Sequence, residues 1–108
     1  MDLTIETVKE EEGYLVILCG EIDAFTGPQI KEKMLPLAEN PEVKRIAVDL
    51  AQVEYMDSTG IGIFVALMKA CKKTGNQLQA RNLSPRVEKL FRITGFYDLI
   101  AIQKGESR

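Results

Sequence analysis

The chain has 108 residues, of which 45% are hydrophobic and 28% charged, and its formal net charge at pH 7 is −2. This length predicts one domain, 1–108, and the polar residues 103–108 are expected to form a tail. A slightly negative net charge gives no broad attraction for nucleic acid. No apolar run is long enough to cross a bilayer, and residues 1–12 do not resemble a secretory signal. We therefore expect a cytoplasmic protein without direct nucleic-acid or membrane partners.

Histidine is absent and cysteine occurs twice, at Cys19 and Cys71. The lack of histidine excludes Ser-His and Cys-His nucleophile pairs. The two cysteines are far apart within apolar segments, which resembles neither a metal site nor a disulfide framework. We expect both to be buried as small hydrophobic residues.

Five short segments have the alternating or continuous apolar pattern of strands, and an acidic "EEEG" turn separates the first two. They are residues 3–7, "YLVILC" at 14–19, "RIAVDL" at 45–50, "QLQA" at 77–80 and "LIAIQ" at 99–103. We expect the first two to form a hairpin, because only a short turn joins them.

Three helices are predicted between these strands. The first begins at Thr26, has a capping-box spacing to Gln29, and ends at "NPE" (40–42), with a kink expected at Pro36. The second runs from Ser58 to about Thr74 and stops at Gly75, and the third has Ser84 as cap, Pro85 as first residue and Gly95 as terminator. The inward residues of the first and third would be Ile30, Met34, Leu37 and Ala38, and Val87, Leu90 and Phe91.

Strands that alternate with helices indicate crossover connections and parallel pairing. The expected fold is therefore α/β: a mostly parallel sheet of four to five strands with an N-terminal antiparallel hairpin, and three main helices.

The segment "YMDSTGIGIF" at 55–64 places an acid, two hydroxyls and two glycines where a strand passes into a helix. A dinucleotide-binding motif fails because Val65 stands at its third glycine. A phosphate loop lacks its Gly-Lys-Ser/Thr ending, and a nucleophile elbow lacks both its motif and its histidine. We expect no catalytic residue, metal ligand or cofactor here, and either Asp57 or Ser58 would cap the helix.

The helix that follows is apolar on two sides. One stripe would be Ile61, Phe64, Val65 and Met68, and the opposite side would be Ile63, Ala66, Leu67 and Ala70. Such a helix is either covered on both sides by neighbouring elements or contacts a partner next to Ser58.

Three segments, "GEIDAFTGPQIKEKMLPLAE", "YMDSTGIGIFVALMK" and "NLSPRVEKLFRITG", resemble the anti-sigma factor antagonists of the STAS family, especially the general-stress-response type. The resemblance covers about residues 4–102. It implies a small α/β fold and a protein that is not an enzyme but a substrate of a serine kinase and a phosphatase.

The resemblance implies that the unmodified protein binds an anti-sigma factor that is also a serine kinase, and so releases a sigma factor. Phosphorylation at Ser58 would end the binding and a PP2C-type phosphatase would restore it. The implied partner-binding residues are Glu21, Asp23, Asp57, Ser58, Thr59, Gly60, Gly62, Ile63 and Leu67. We expect the free protein to be a monomer.

Four alternatives remain at this stage. Thr59 is a neighbouring hydroxyl that competes with Ser58 as phosphate acceptor, although it is more hindered. A STAS-type module that senses a ligand or nucleotide, or serves as a scaffold, is the alternative function, and a catalytic domain is disfavoured by the missing histidine. Turn or cap chemistry is the alternative role for Glu21 and Asp23.

Overall fold

The computed structural model describes residues 2–103, which form five strands, three α-helices and a short 3₁₀ helix. Their order is β1 (Leu3–Glu10), β2 (Gly13–Ile22), α1 (Gly27–Ala38), β3 (Arg45–Met56), α2 (Ser58–Thr74), β4 (Gln77–Arg81), α3 (Pro85–Thr94), the 3₁₀ helix (Phe96–Asp98) and β5 (Ala101–Gln103). The polar tail was predicted at 103–108: Gln103 is the last residue of β5, and residues 104–108 lie outside the described part.

The strands form one sheet in the order β1-β2-β3-β4-β5, so the order along the chain is also the order in space. The β1–β2 pair is antiparallel and the other three pairs are parallel. Each parallel connection contains one of the three α-helices, as parallel pairing requires. The predicted fold class is confirmed.

The strands β2 and β3 are longer than their apolar runs predicted. Strand β2 continues from residue 19 to Ile22, and β3 continues from residue 50 to Met56. The extension of β3 alternates poorly because Ala51 and Gln52 are both exposed, and the β2–β3 register shifts between Ile17 and Cys19 and between Gly20 and Glu21. These irregularities break the period-two pattern from which strands are predicted.

Three phenylalanines join α2 to the C-terminal third of the fold. Phe64 lies 5.7 Å from Phe91, and Phe91 lies 5.2 Å from Phe96, both as edge-on ring pairs. Each ring is at most 2% exposed. The cluster therefore fixes α2 against α3 and the 3₁₀ helix.

The capping box predicted for α1 is wrong. Thr26 precedes the helix, but its side chain makes no capping hydrogen bond. Its backbone angles are helical, whereas a capping residue is usually extended. Its hydroxyl donates instead to the carbonyl of Glu21 at 2.8 Å, back toward β2. Three of the four inward residues predicted for α1 are buried, Leu37 is half-buried, and the helix is continuous through Pro36.

The termini of α2 and α3 are as predicted. Ser84 accepts from the N–H of Val87 at the start of α3. Gly75 and Gly95 end the two helices with φ of 81° and 80°, the left-handed conformation that glycine adopts without strain.

The two cysteines differ. Cys71 is buried, and this burial raises the pKa of its thiol. Cys19 is half-exposed, contrary to prediction, and its thiol donates to Oε1 of Gln52 at 3.4 Å. Strand β2 is therefore less deeply covered at Cys19 than its apolar sequence suggested.

Candidate functional site

The carboxyl ends of β2 and β3 lie side by side. Ile22 and Met56, the last residues of these strands, are register partners. The N–H of Asp57 donates to the carbonyl of Ile22 at 3.3 Å. The two loops that begin at Asp23 and Asp57 therefore leave the sheet at the same edge, where ligand and partner sites of parallel sheets commonly form.

Asp57 is the N-cap of α2. Its backbone is extended, and its Oδ1 accepts from the N–H of Thr59 at 2.9 Å. This contact satisfies one of the free N–H groups of the first turn. Of the two caps considered from sequence, the structure therefore selects Asp57.

Ser58 is the first residue of α2 and is exposed. Among residues 2–103, no hydrogen bond holds its hydroxyl to the rest of the protein. A phosphate on this hydroxyl would lie at the positive end of the helix dipole.

Thr59 is more enclosed than Ser58. Its side chain is half-buried because Gly27, the first residue of α1, lies beside it. The approach is so close that a Cβ added to Gly27 would lie 3.3 Å from Cγ2 of Thr59 and 2.8 Å from Cδ1 of Ile63. The threonine methyl group therefore packs toward α1. Of the two neighbouring hydroxyls, Ser58 is the more accessible.

Asp23 folds the loop between β2 and α1. Its Oδ1 accepts from the N–H of Phe25 at 2.9 Å and from that of Thr26 at 3.0 Å. The backbone hydrogen bond from Thr26 is the main cause that lowers the pKa of Asp23, against an opposing effect of partial burial. The turn chemistry considered for Asp23 is therefore present, and its carboxylate is also half-exposed.

Glu21 was predicted to follow a strand, but it lies within β2, opposite Tyr55 of β3. It is half-exposed and its backbone carbonyl accepts from the Thr26 hydroxyl. The acidic residues Glu21, Asp23 and Asp57 are thus brought to the same edge of the sheet.

The two glycines of α2 have different surroundings. Gly62 is exposed and has open space around it, in keeping with access for a partner. Gly60 is buried, and a Cβ there would lie 2.5 Å from Cγ of Met56 and 3.2 Å from Cγ2 of Ile22. This glycine therefore allows α2 to pack against the ends of the strands, and the partner contact implied for Gly60 stays a prediction.

Ile63 and Leu67 also belong to the core, since they are 4% and 0% exposed. Their burial does not favour direct contact with a partner, and the contact implied for them stays a prediction. The buried residues of α2 are Gly60, Ile63, Phe64, Leu67 and Cys71, and they include members of both predicted stripes. Residues Ile61, Val65 and Met68 pack partly buried against the same core. Neighbouring elements therefore cover most of this helix.

Phe25 was missed from sequence. Its side chain is 82% exposed, the highest value among the large hydrophobic residues that the structure describes as exposed. The signal was its position in the "GEIDAFTGP" segment, two residues after Asp23.

No metal centre is indicated in the described part of the chain, where no three His, Cys, Asp or Glu side chains are grouped to hold an ion. Within the same residues, no helix is long and apolar enough to cross a membrane.

Residues 4–107 match the STAS domain family. The chain belongs to this family. Its relatives include the anti-sigma-B factor antagonist of Bacillus subtilis, which is 43% identical over 102 residues, covering 94% of this chain and 92% of that protein. The resemblance to STAS-family anti-sigma factor antagonists that the sequence suggested is confirmed.

Solved structures share the fold of this STAS protein. The anti-sigma factor antagonist SpoIIAA in its unphosphorylated form superposes with a TM-score of 0.80 at 24% identity, covering 98% of this chain and 90% of that one. The phosphorylated form of the Bacillus SpoIIAA gives 0.75 at 23% identity, covering 98% and 93%. At this level of identity the likeness establishes the fold alone.

Proposed function

We propose that this STAS protein is an anti-sigma factor antagonist controlled by phosphorylation of Ser58. The unphosphorylated form binds a cytoplasmic anti-sigma factor that is also a serine kinase, and a sigma factor of the stress response is thereby released. Phosphorylation ends the binding, and a PP2C-type phosphatase restores it. The free protein is a monomer in this scheme.

Two findings support the proposal. The Bacillus subtilis relative, at 43% identity, is an anti-sigma-B factor antagonist. The observation that carries the assignment to one residue is the exposed Ser58 hydroxyl at the first position of α2, beside the more enclosed Thr59.

The chemistry at Ser58 is a phosphoryl transfer in each direction. In the kinase, the serine oxygen attacks the γ-phosphorus of ATP, the bond from that phosphorus to the β–γ bridging oxygen breaks, ADP leaves, and the hydroxyl proton passes to a base of the kinase. In the phosphatase, water attacks the phosphorus, the bond from the phosphorus to the serine oxygen breaks, inorganic phosphate is released, and the serine oxygen takes up a proton. This chain supplies only the accessible hydroxyl.

The fold should tolerate the phosphate. Ser58 is exposed, so no core contact is lost, and the start of α2 favours a negative charge by about 0.3–1 kcal/mol. Asp57 is already bound to the N–H of Thr59 and need not move.

The complex should not tolerate it. The phosphate adds about −1.5 to −2 charge units to an edge that already carries Glu21, Asp23 and Asp57. An unpaired dianion enclosed in an interface costs several kcal/mol, and each 1.4 kcal/mol lowers affinity about tenfold. The switch is therefore local and electrostatic.

The proposed partner surface consists of half-buried or exposed residues at this edge. They are Glu21, Asp23, Asp57, Ser58, Thr59 and Gly62.

Calorimetric titration with the cognate anti-sigma factor tests the proposal. We expect Ser58→Ala to bind as tightly as the unphosphorylated chain, whether or not ATP is present, because it cannot accept phosphate. Ser58→Asp should bind at least about tenfold more weakly, because its carboxylate carries charge into the interface. Equal affinities for the two variants would refute the proposed switch.

A further inference from the structure

An exposed aromatic ring projects from the loop between β2 and α1. The side chain of Phe25 is 82% exposed. Isolated exposed apolar residues are common on protein surfaces and need no explanation by themselves. What distinguishes Phe25 is the loop that carries it and the place where that loop lies.

The loop is fixed on both sides of Phe25. The N–H of Phe25 itself donates to Oδ1 of Asp23 at 2.9 Å, and the N–H of Gly27 donates to the carbonyl of Asp23 at 2.8 Å. Thr26 is only 1% exposed. Its hydroxyl donates to the Glu21 carbonyl and accepts from the N–H of Asp23 at 3.1 Å. The loop that carries Phe25 is therefore preorganised, so less conformational entropy is lost when a partner binds this loop.

The same loop adjoins the start of α2. Gly27 follows Phe25 by two residues and approaches Thr59 and Ile63 so closely that a Cβ there would lie 2.8 Å from Ile63. Asp57 is hydrogen-bonded to the last residue of β2. A protein that encloses the Ser58 hydroxyl must therefore pass over, or next to, the Phe25 loop.

We propose that Phe25 is an aromatic anchor for the anti-sigma factor, and that its ring enters an apolar pocket of that protein. Aromatic residues in the desolvated centre of an interface account for much of its binding energy. The surrounding acids Glu21, Asp23 and Asp57 predict Lys or Arg side chains around the pocket's rim. This inference rests on the proposed function, since it assigns a partner contact to the same edge of the sheet.

Calorimetric titration of the unphosphorylated full chain with the cognate anti-sigma factor tests the anchor. Burying a phenylalanine side chain predicts that Phe25→Ala binds about 10- to 100-fold more weakly. Phe25→Tyr, which keeps the ring, should retain most of the affinity. The control is Ile93→Ala, which removes a side chain that is 70% exposed in α3 near its C-terminal end. We expect this control to bind within about twofold of the unmodified chain, since helix C-termini lie at the opposite end of a parallel sheet from helix N-termini.

The outcomes separate the two proposals. If the unmodified chain does not bind the anti-sigma factor, the proposed function fails and the anchor fails with it. If the unmodified chain binds and Phe25→Ala binds equally well, only the anchor is overturned. If sedimentation shows that the unmodified chain is a dimer and Phe25→Ala a monomer, the ring serves contact with a second copy and the anchor is again overturned. Unchanged unfolding midpoints for the variants show that binding, and not folding, was altered.

Discussion

The two glycines in the first turns of α2 offer a matched pair of substitutions. Gly60 is buried and Gly62, half a turn later, is exposed. At Gly60 an added Cβ would lie 2.5 Å from Cγ and 2.8 Å from Sδ of Met56, while at Gly62 it would meet no atom within 4 Å. Met56 is only 5% exposed, so its side chain cannot move into solvent without opening the core.

The two alanine variants should therefore change stability in different directions. Each alanine gains up to about 1 kcal/mol from its higher helix propensity. Gly60→Ala also overpacks the contact with Met56, which costs about 1–3 kcal/mol. Because the propensity gain is common to both variants, Gly62→Ala should exceed Gly60→Ala in unfolding free energy by about 1–3 kcal/mol.

Urea unfolding, monitored by far-ultraviolet circular dichroism, measures this difference. The unfolding free energy should fall with urea concentration at the same slope for both variants. For a domain of this size, each kcal/mol also corresponds to about 4–8 °C in Tm. A Gly60→Ala variant as stable as Gly62→Ala would refute the close packing of α2 against the strand ends.

Three further substitutions test the loops at this edge. Thr26→Val removes the hydroxyl that donates to the Glu21 carbonyl and accepts from the Asp23 N–H. In urea titrations it should therefore have an unfolding free energy about 1–3 kcal/mol lower than that of Thr26→Ser, which keeps the hydroxyl. Equal unfolding midpoints for the two variants would contradict these hydrogen bonds. Asp57→Ala removes the cap of α2 and should cost about 0.5–2 kcal/mol in the same assay, whereas Asp57→Asn should retain most of the stability; a neutral Asp57→Ala would exclude a stabilising cap. Asp23 has a pKa below its ordinary value of 3.8 in the folded protein, so its contribution to stability is present above about that pH and is lost as the pH falls through the lower, folded value. Unfolding of Asp23→Asn should accordingly depend less on pH below about 4 than that of the unmodified chain, and identical pH profiles would contradict this.

The sequence predicted best those elements whose ends are set by local chemistry. Helix α2 begins and ends at Ser58 and Thr74 as predicted, and α3 is bounded by the expected Ser84 and Gly95. These boundaries depend on caps and left-handed glycines, which involve only neighbouring residues. The parallel pairing of the later strands followed from their alternation with helices, whereas the order of the strands in the sheet was not predicted.

The sequence failed where a residue's role is set by a distant neighbour. The Thr26 hydroxyl bonds back to β2 instead of capping α1, and Gly60 packs closely against Met56 and Ile22. The apolar pattern of α2 left open what covers its two sides, and only the positions of α1 and the sheet show that Ile63 and Leu67 are enclosed. Periodicity identifies an apolar side but not what covers it.

The motif pointed to Ser58 as the proposed phosphate acceptor, and the structure adds that this residue is exposed at the start of α2. Register pairing of Ile22 with Met56 brings Asp23 and Asp57 to one edge, which the sequence could only suggest. The rigid Phe25 loop arises from hydrogen bonds among residues 21–27 that no periodic pattern reports.

The most direct test of the account compares the unmodified chain with the same chain phosphorylated to completion by the anti-sigma kinase and verified by mass spectrometry. The account predicts a single phosphate on Ser58, an unchanged circular dichroism spectrum, and an affinity for the anti-sigma factor that is lower by at least about a hundredfold, since the loss is several kcal/mol. Phosphate on another residue, or equal affinity of the two forms for the anti-sigma factor, would contradict it.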